Sequence, residues 1–156
     1  LERQEFESRA TAQADRLHRI ALSILTNEAD CEDATQEALV KAWMNLGGLK
    51  QPRYFETWLV RILINECKSI LRKRRLRPWV ELTDTLPAPE PPDRALWEAL
   101  KTVDERYRLP LVLHHAEGYS VREIAELLRL PQSTVKWRIH QGKKALGLKL
   151  GKEEER

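Results

Sequence analysis

The densest chemistry in the chain lies at residues 119–146, YSVREIAELLRLPQSTVKWRIHQGKKAL. Ser120 followed by Glu123 is the residue pair of a helix capping box. Val121, Ile124, Ala125 and Leu128 then recur at helical spacing. Arg129-Leu130-Pro131 interrupts the run, and Pro131 suits the first turn of a second helix. On that helix Val135, Ile139, Gly142 and Leu146 form one stripe at about 100° per residue. Opposite lie Ser133, Trp137, His140 and Lys144, flanked by Lys136, Gln141 and Lys143. A helix buried on one side and basic on the other, entered through a tight turn, has the chemistry to lie in a DNA major groove. A helical hairpin with a solvated basic face carries the same pattern.

Charge is distributed unevenly along the chain. The formal net charge is only +3, yet residues 50–80 carry nine basic and two acidic side chains. Residues 128–152 carry seven basic side chains and no acidic one. Residues 27–38 carry five acidic side chains and no basic one. Two separate basic surfaces point to two contacts on one polyanion. The first includes Tyr54, Phe55 and Trp58, possible stacking faces for unpaired bases, beside Lys50, Arg53, Arg61, Lys68, Arg72, Lys73, Arg74 and Arg75 as a track for phosphates. Trp58 also fits a core position. Asn65, a polar residue among apolar ones, fits a capping or interior hydrogen bond.

The acidic run lacks the Asp-x-Asp-x-Asp-Gly pattern of a calcium loop. Cys31 and Cys67 match no metal-ligand spacing and are expected as reduced, buried thiols. His18, His114, His115 and His140 are scattered along the chain. The expectation is a protein with no catalytic residues, no metal and no cofactor. No apolar run approaches the roughly 20 residues of a membrane span, and no signal-peptide pattern is present. A cytoplasmic location is expected. The chain opens at Leu1 rather than methionine, and a trimmed start is expected.

The elements that must position these groups read as helices throughout, an all-α fold. One helix spans residues 6–25, with Leu17, Ile20, Ala21, Ile24 and Leu25 on its apolar face. A second, capped by Asn27 or Asp30, runs to about Leu46, with Ala34, Ala38, Ala42 and Leu46 aligned. Gly47-Gly48 ends it, as glycine tolerates the left-handed conformation after a helix. A loop follows, and a third helix begins near Thr57. Residues 78–92 hold five of the eight prolines and read as a linker. Asp93 can cap the next helix, which carries Leu96, Trp97, Leu100 and Val103. Another runs over residues 106–116 with Pro110 in its first turns, and the helix-turn-helix completes a second domain. The expected division is 1–77, linker 78–92, 93–150, and a tail at 151–156.

Taken in order, these segments resemble a known family. DCEDATQEALVKAW (30–43) is similar to the acidic DxEDxxQExxxxxW helix of bacterial RNA polymerase sigma factors of the sigma-70 family, extracytoplasmic-function type. Residues 54–71 are similar to its F-x-x-W-L-x-R-I-x-x-N segment. The second domain resembles its E-I-A helix and its T-V-K-x-R recognition helix. The resemblance implies a promoter-specificity subunit that binds core polymerase and directs promoter recognition, melting and initiation. It implies that Asp33, Gln36, Glu37, Val40 and Trp43 dock on the clamp helices of the largest polymerase subunit, although Trp43 and Leu39 also fit core positions. It assigns residues 47–75 to the −10 element, with Asn65 at the base-reading face. Gln132, Ser133, Thr134, Lys136, Trp137, Arg138, His140, Gln141, Lys143 and Lys144 fall to the −35 element. The implied partners are promoter DNA, core polymerase (the second domain contacting the β subunit) and an anti-sigma factor. Two departures stand out: Arg129 and Ser133 occupy positions where the family often has glycine, and Trp137 replaces a usually small residue. The alternatives are a stand-alone dimeric helix-turn-helix regulator, which leaves the acidic helix and the aromatic loop unexplained, and a nuclease or other metal enzyme using the acidic run.

Overall fold

The computed structural model describes residues 1–76 and 94–147. The expected linker, the Asp93 cap and the tail lie outside the described residues. The chain divides into two compact units, residues 1–88 and 89–156. Eight α-helices and no strand are found among the described residues.

The first unit holds α1 (Arg3–Ala12), α2 (Ala14–Leu25), α3 (Glu28–Met44) and α4 (Phe55–Leu76). The single helix expected over residues 6–25 is in fact two. Gln13 forms a turn between them (φ −94°, ψ −1°), its N–H bonding to the Ala10 carbonyl at 3.1 Å. No glycine or proline marks the break. Its consequence is that Phe6 of α1 meets Trp43 and Phe55 edge-on, with ring centroids 5.2 and 5.6 Å away.

Asn27 caps α3 by accepting from the Asp30 N–H. On its inner face Cys31, Ala34, Ala38 and Ala42 are all fully buried. Such small side chains let neighbouring helix axes come close. They pack against Leu17, Ile20, Ile24 and Leu25 of α2 and Leu59, Val60, Leu63 and Ile64 of α4, all buried. The end of α3 corrects the sequence reading. The helix stops at Met44, and Gly47-Gly48 lies in a short 3-10 turn with no left-handed residue. A second 3-10 turn, Pro52–Tyr54, leads into α4, which starts two residues before the expected Thr57.

The second unit holds α5 (Arg94–Lys101), α6 (Glu105–His115), α7 (Val121–Leu128) and α8 (Gln132–Leu146). Asp104 caps α6. Buried Arg108 donates to the Val103 carbonyl, and burial pulls its guanidinium below its ordinary pKa. The expected capping box of α7 forms in both directions, at 2.9 and 3.1 Å. Arg129 then adopts the left-handed conformation (φ 56°, ψ 50°), at a cost of about 1 kcal/mol for a residue with a Cβ. The Leu130 N–H returns to the Ala125 carbonyl at 3.0 Å. Pro131 precedes α8 at the cap position rather than lying in its first turn. Val135, Ile139 and Gly142 form the buried stripe. A Cβ at Gly142 would lie 3.1 Å from the Tyr107 carbonyl oxygen and 3.3 Å from Leu111, so glycine here sets how closely α8 approaches α6.

Candidate nucleic-acid interface

The outward face of α3 carries Asp33, Gln36 and Glu37, all exposed. It continues into an apolar end: Val40 is 52% exposed, Trp43 44% and Met44 76%. The core reading of Trp43 is corrected: its ring meets Phe6 edge-on but stays partly in solvent, beside a cleft of about 410 Å³ bounded by Arg3, Phe6, Glu7 and Trp43. Leu39 is half-buried. Met44 was not singled out from the sequence, although Val40, Trp43 and Met44 have the spacing of one helix face.

The segment between α3 and α4 divides the expected aromatic surfaces. Tyr54 is half exposed; the Arg53 guanidinium lies 4.8 Å from its ring centroid and donates to its phenol at 2.8 Å. Phe55 corrects the sequence reading. It is fully buried between Phe6 and Trp58, with Arg9 5.0 Å from its ring centroid, so it has no face to offer a base. Arg9 also donates to Glu56 at 2.8 Å and to the Pro52 carbonyl at 2.7 Å, tying α1 to the start of α4. Nothing in the sequence marks this tie, because its partners lie more than forty residues apart.

Trp58 is half-buried. It lines a cleft of about 380 Å³ with Lys41, Asn45, Gly48, Ile62, Asn65 and Glu66. Asn65 is exposed there, which removes the interior hydrogen-bond reading of it. Lys41 pairs with Glu66 across the cleft wall, and that bond holds the Lys41 ammonium above its ordinary pKa. Lys50, Arg53, Arg72, Lys73 and Arg75 are exposed, while Arg61 and Lys68 are half-buried. Arg74 is a further correction. It pairs with Asp30 of α3, both side chains about three-quarters covered, so its charge is engaged within the unit.

On α8, Gln132, Ser133, Lys136, Trp137, His140 and Lys144 are exposed, and Thr134, Arg138 and Gln141 are half-buried. No side chain caps the helix start, a place where backbone N–H groups favour phosphate. Lys143 is another correction: it lies buried beside Gly142 and leaves the outer face. Trp137 is 54% exposed, and its ring meets Tyr107 of α6 edge-on at 5.8 Å and 75°. Tyr107 went unnoticed in the sequence, since a partner one helix pair away leaves no local signal.

Among the described residues no group of three or more His, Cys, Asp and Glu side chains is placed to hold a metal ion. Cys31 and Cys67 are both buried, and burial with Glu28 nearby pushes the Cys31 thiol up to about 12.

Comparison with known proteins gives concordant matches. The family model of sigma-70 region 2 matches residues 10–77, and that of sigma-70 region 4 matches residues 93–146. The chain is 32% identical over 146 residues to the ECF RNA polymerase sigma factor SigE of Mycolicibacterium smegmatis, covering 85% of this chain and 56% of that one. It is 31% identical over 143 residues to the RNA polymerase sigma-E factor of Streptomyces avermitilis, covering 88% and 80%. Among solved structures, the sigma factor RpoE in complex with the anti-sigma factor NepR from Bartonella quintana matches with a TM-score of 0.79 at 23% identity, over 92% of this chain and 94% of that one.

Proposed function

The chain belongs to the sigma-70 family, as an RNA polymerase sigma factor of the extracytoplasmic-function type, and from that premise we propose how its surfaces divide the work of promoter recognition. The outer face of α3 is the polymerase-docking surface. Its carboxylates, Asp33 and Glu37, steer it toward a basic partner and fix register, and Val40, Trp43 and Met44 supply the apolar contact. The partner surface is the clamp helices of the largest subunit. The second unit engages the β subunit and the −35 element, and an anti-sigma factor covers one or both faces when transcription is off.

The cleft under Trp58 receives a base of the melted −10 element. Asn45 and Asn65 offer amide donors and acceptors to a base edge, and Trp58 and Ile62 offer apolar walls. Tyr54, Lys50, Arg53, Arg72, Lys73 and Arg75 hold the strand around it. The protein catalyses nothing in this reading; it places polymerase.

The observation that carries the proposal is the strip from Asp33 to Met44, acidic then apolar and exposed throughout, leading into that cleft. A stand-alone helix-turn-helix regulator has no use for it, and the region 2 match over residues 10–77 sets that alternative aside. The test is Asp33→Arg combined with Glu37→Arg. Recovery of the chain with core polymerase should fall at least about tenfold, which is ~1.4 kcal/mol, while the melting temperature moves by no more than a degree or two. Undiminished recovery of the double variant sinks the assignment, and run-off transcription on a promoter library reads the consequence.

A further inference from the structure

We propose that Trp137 is a specificity-determining residue that reads a thymine methyl group in the −35 element, with Tyr107 as the positioning residue that holds its ring. The inference rests on the promoter reading above and adds to it a base, a group on that base and a residue.

Four observations meet at this side chain. First, Trp137 lies about 200° around α8 from buried Val135, in the middle of the outer face. Ser133, His140 and Lys144 share that face and are exposed. Second, every other side chain on that face is polar or basic, so the large apolar surface at its centre is an isolated one. Third, 54% of Trp137 stays in water, although a tryptophan gains from burial. Fourth, one ring edge is braced by Tyr107 at 5.8 Å and 75°. Tyr107 sits on α6, whose backbone is fixed against α8 by the close approach at Gly142.

The major groove narrows what such a surface can read. Base edges there present hydrogen-bond donors and acceptors, and the one apolar group is the thymine C5-methyl. An indole has a single N–H donor and no acceptor, so it cannot make the paired bonds by which Arg, Asn or Gln read purines. Its faces and edges can cover a methyl group. Lys136 and Lys144, exposed on either side, are placed to take phosphates, which fix register without reading sequence. The edge contact with Tyr107 limits how far the indole can swing, so the methyl-binding surface exists before DNA arrives.

The test uses holoenzyme reconstituted from core polymerase and the full chain, on a promoter selected from a library. Each −35 thymine, on either strand, is replaced singly by deoxyuridine, which removes the methyl and keeps the pairing. Wild type should lose about fourfold in run-off rate at one or two positions, the equivalent of the ~0.8 kcal/mol of one buried methyl group. Trp137→Ala should transcribe thymine and deoxyuridine templates equally at those positions, and Trp137→Leu, which keeps apolar bulk, should discriminate in between. Tyr107→Phe should discriminate as wild type does. Tyr107→Leu should lose discrimination without losing run-off on the uracil template, which a merely structural role would not produce. Equal rates on thymine and deoxyuridine at every position in wild type overturn the proposal. So does discrimination that survives in a folded Trp137→Ala protein, or a selected −35 element with no thymine on either strand. Those failures leave the promoter reading standing, because run-off is still seen; absence of run-off on every promoter removes both.

Discussion

The two units place their charges differently. In the first, oppositely charged residues from different helices meet: Arg9 with Glu56 at 2.8 Å, Lys41 with Glu66, and Arg74 with Asp30. In the second, pairs such as Lys101–Glu98 and Arg122–Glu126 join neighbours on one helix, at 3.9 and 3.8 Å. Among the described residues, Lys136 and Lys144 of α8 join no such pair and are exposed. The same +7 imbalance read along the sequence therefore means two different things. In α4 part of it neutralises the acidic helix beside it. In α8 Lys136 and Lys144 remain exposed on the outer face, while Lys143 is buried. A run of like charge overstates the binding surface wherever a helix of opposite charge crosses it.

Phe55 touches Phe6, Trp58 and Arg9 and so joins α1 to the start of α4. Phe55→Ala should cost about 3–5 kcal/mol of this unit's stability, from lost burial and the cavity left behind. Denaturant unfolding measures it; a loss under about 1 kcal/mol would mean that the α1–α4 closure does not depend on this ring.

Arg74 and its neighbours sharpen the contrast. Arg74→Ala leaves the Asp30 carboxylate without its partner in a site about three-quarters covered, so stability should drop by about 1–2 kcal/mol, between surface and fully buried pairs. Salt dependence of promoter binding by the holoenzyme should barely change. Lys73→Ala should do the reverse: stability within ~0.5 kcal/mol, and a salt slope flatter by about 0.7, one single-strand phosphate contact. If Arg74→Ala flattens the slope as much as Lys73→Ala does, the arginine leaves Asp30 when DNA binds, and the distinction between the units is lost.

What the sequence disclosed, and what it withheld, follows the range of the interaction involved. The α7 capping box, the Asn27 cap and the Val135–Ile139–Gly142 stripe depend on neighbours within a few turns, and each was legible. The family assignment was legible too, because an ordered set of such local motifs spans most of the chain. The fate of Tyr54, Phe55 and Trp58 was not. Which ring turns inward depends on where α1 crosses, and α1 is aimed by a break at Gln13 that has no glycine or proline to announce it. Gly47-Gly48 misled for a related reason. Glycine permits a left-handed residue without requiring one, and here the chain continues as a 3-10 turn. Arg74 and Lys143 were counted as contacts on residue type alone, and only packing shows one paired and the other buried.

The smallest expected effect belongs to the second unit, where a charge acts on a helix end instead of on another helix. Asp104 caps α6 by accepting from the Arg106 N–H at 2.9 Å. That bond, helped by the Arg106 guanidinium, holds its carboxyl below the usual carboxylate range. The helix has reason to depend on the cap, because Pro110 lacks the N–H that would bond to the Arg106 carbonyl and so weakens the first turns. A carboxyl depressed in the folded state contributes stability above its unfolded pKa near 4 and loses it as pH falls through the lower folded value. Asp104→Ala should cost about 1 kcal/mol at neutral pH. Asp104→Asn keeps the oxygen acceptor and removes the charge, so it should cost less than alanine at pH 7. Its deficit against wild type should shrink as the pH is lowered through the depressed folded-state value, below which wild type is also neutral at this position. Thermal unfolding of the three proteins across that range decides the matter. A wild-type-to-asparagine gap that stays constant with pH would show that the cap works through its hydrogen bond alone, and that the carboxylate charge contributes nothing to holding α6.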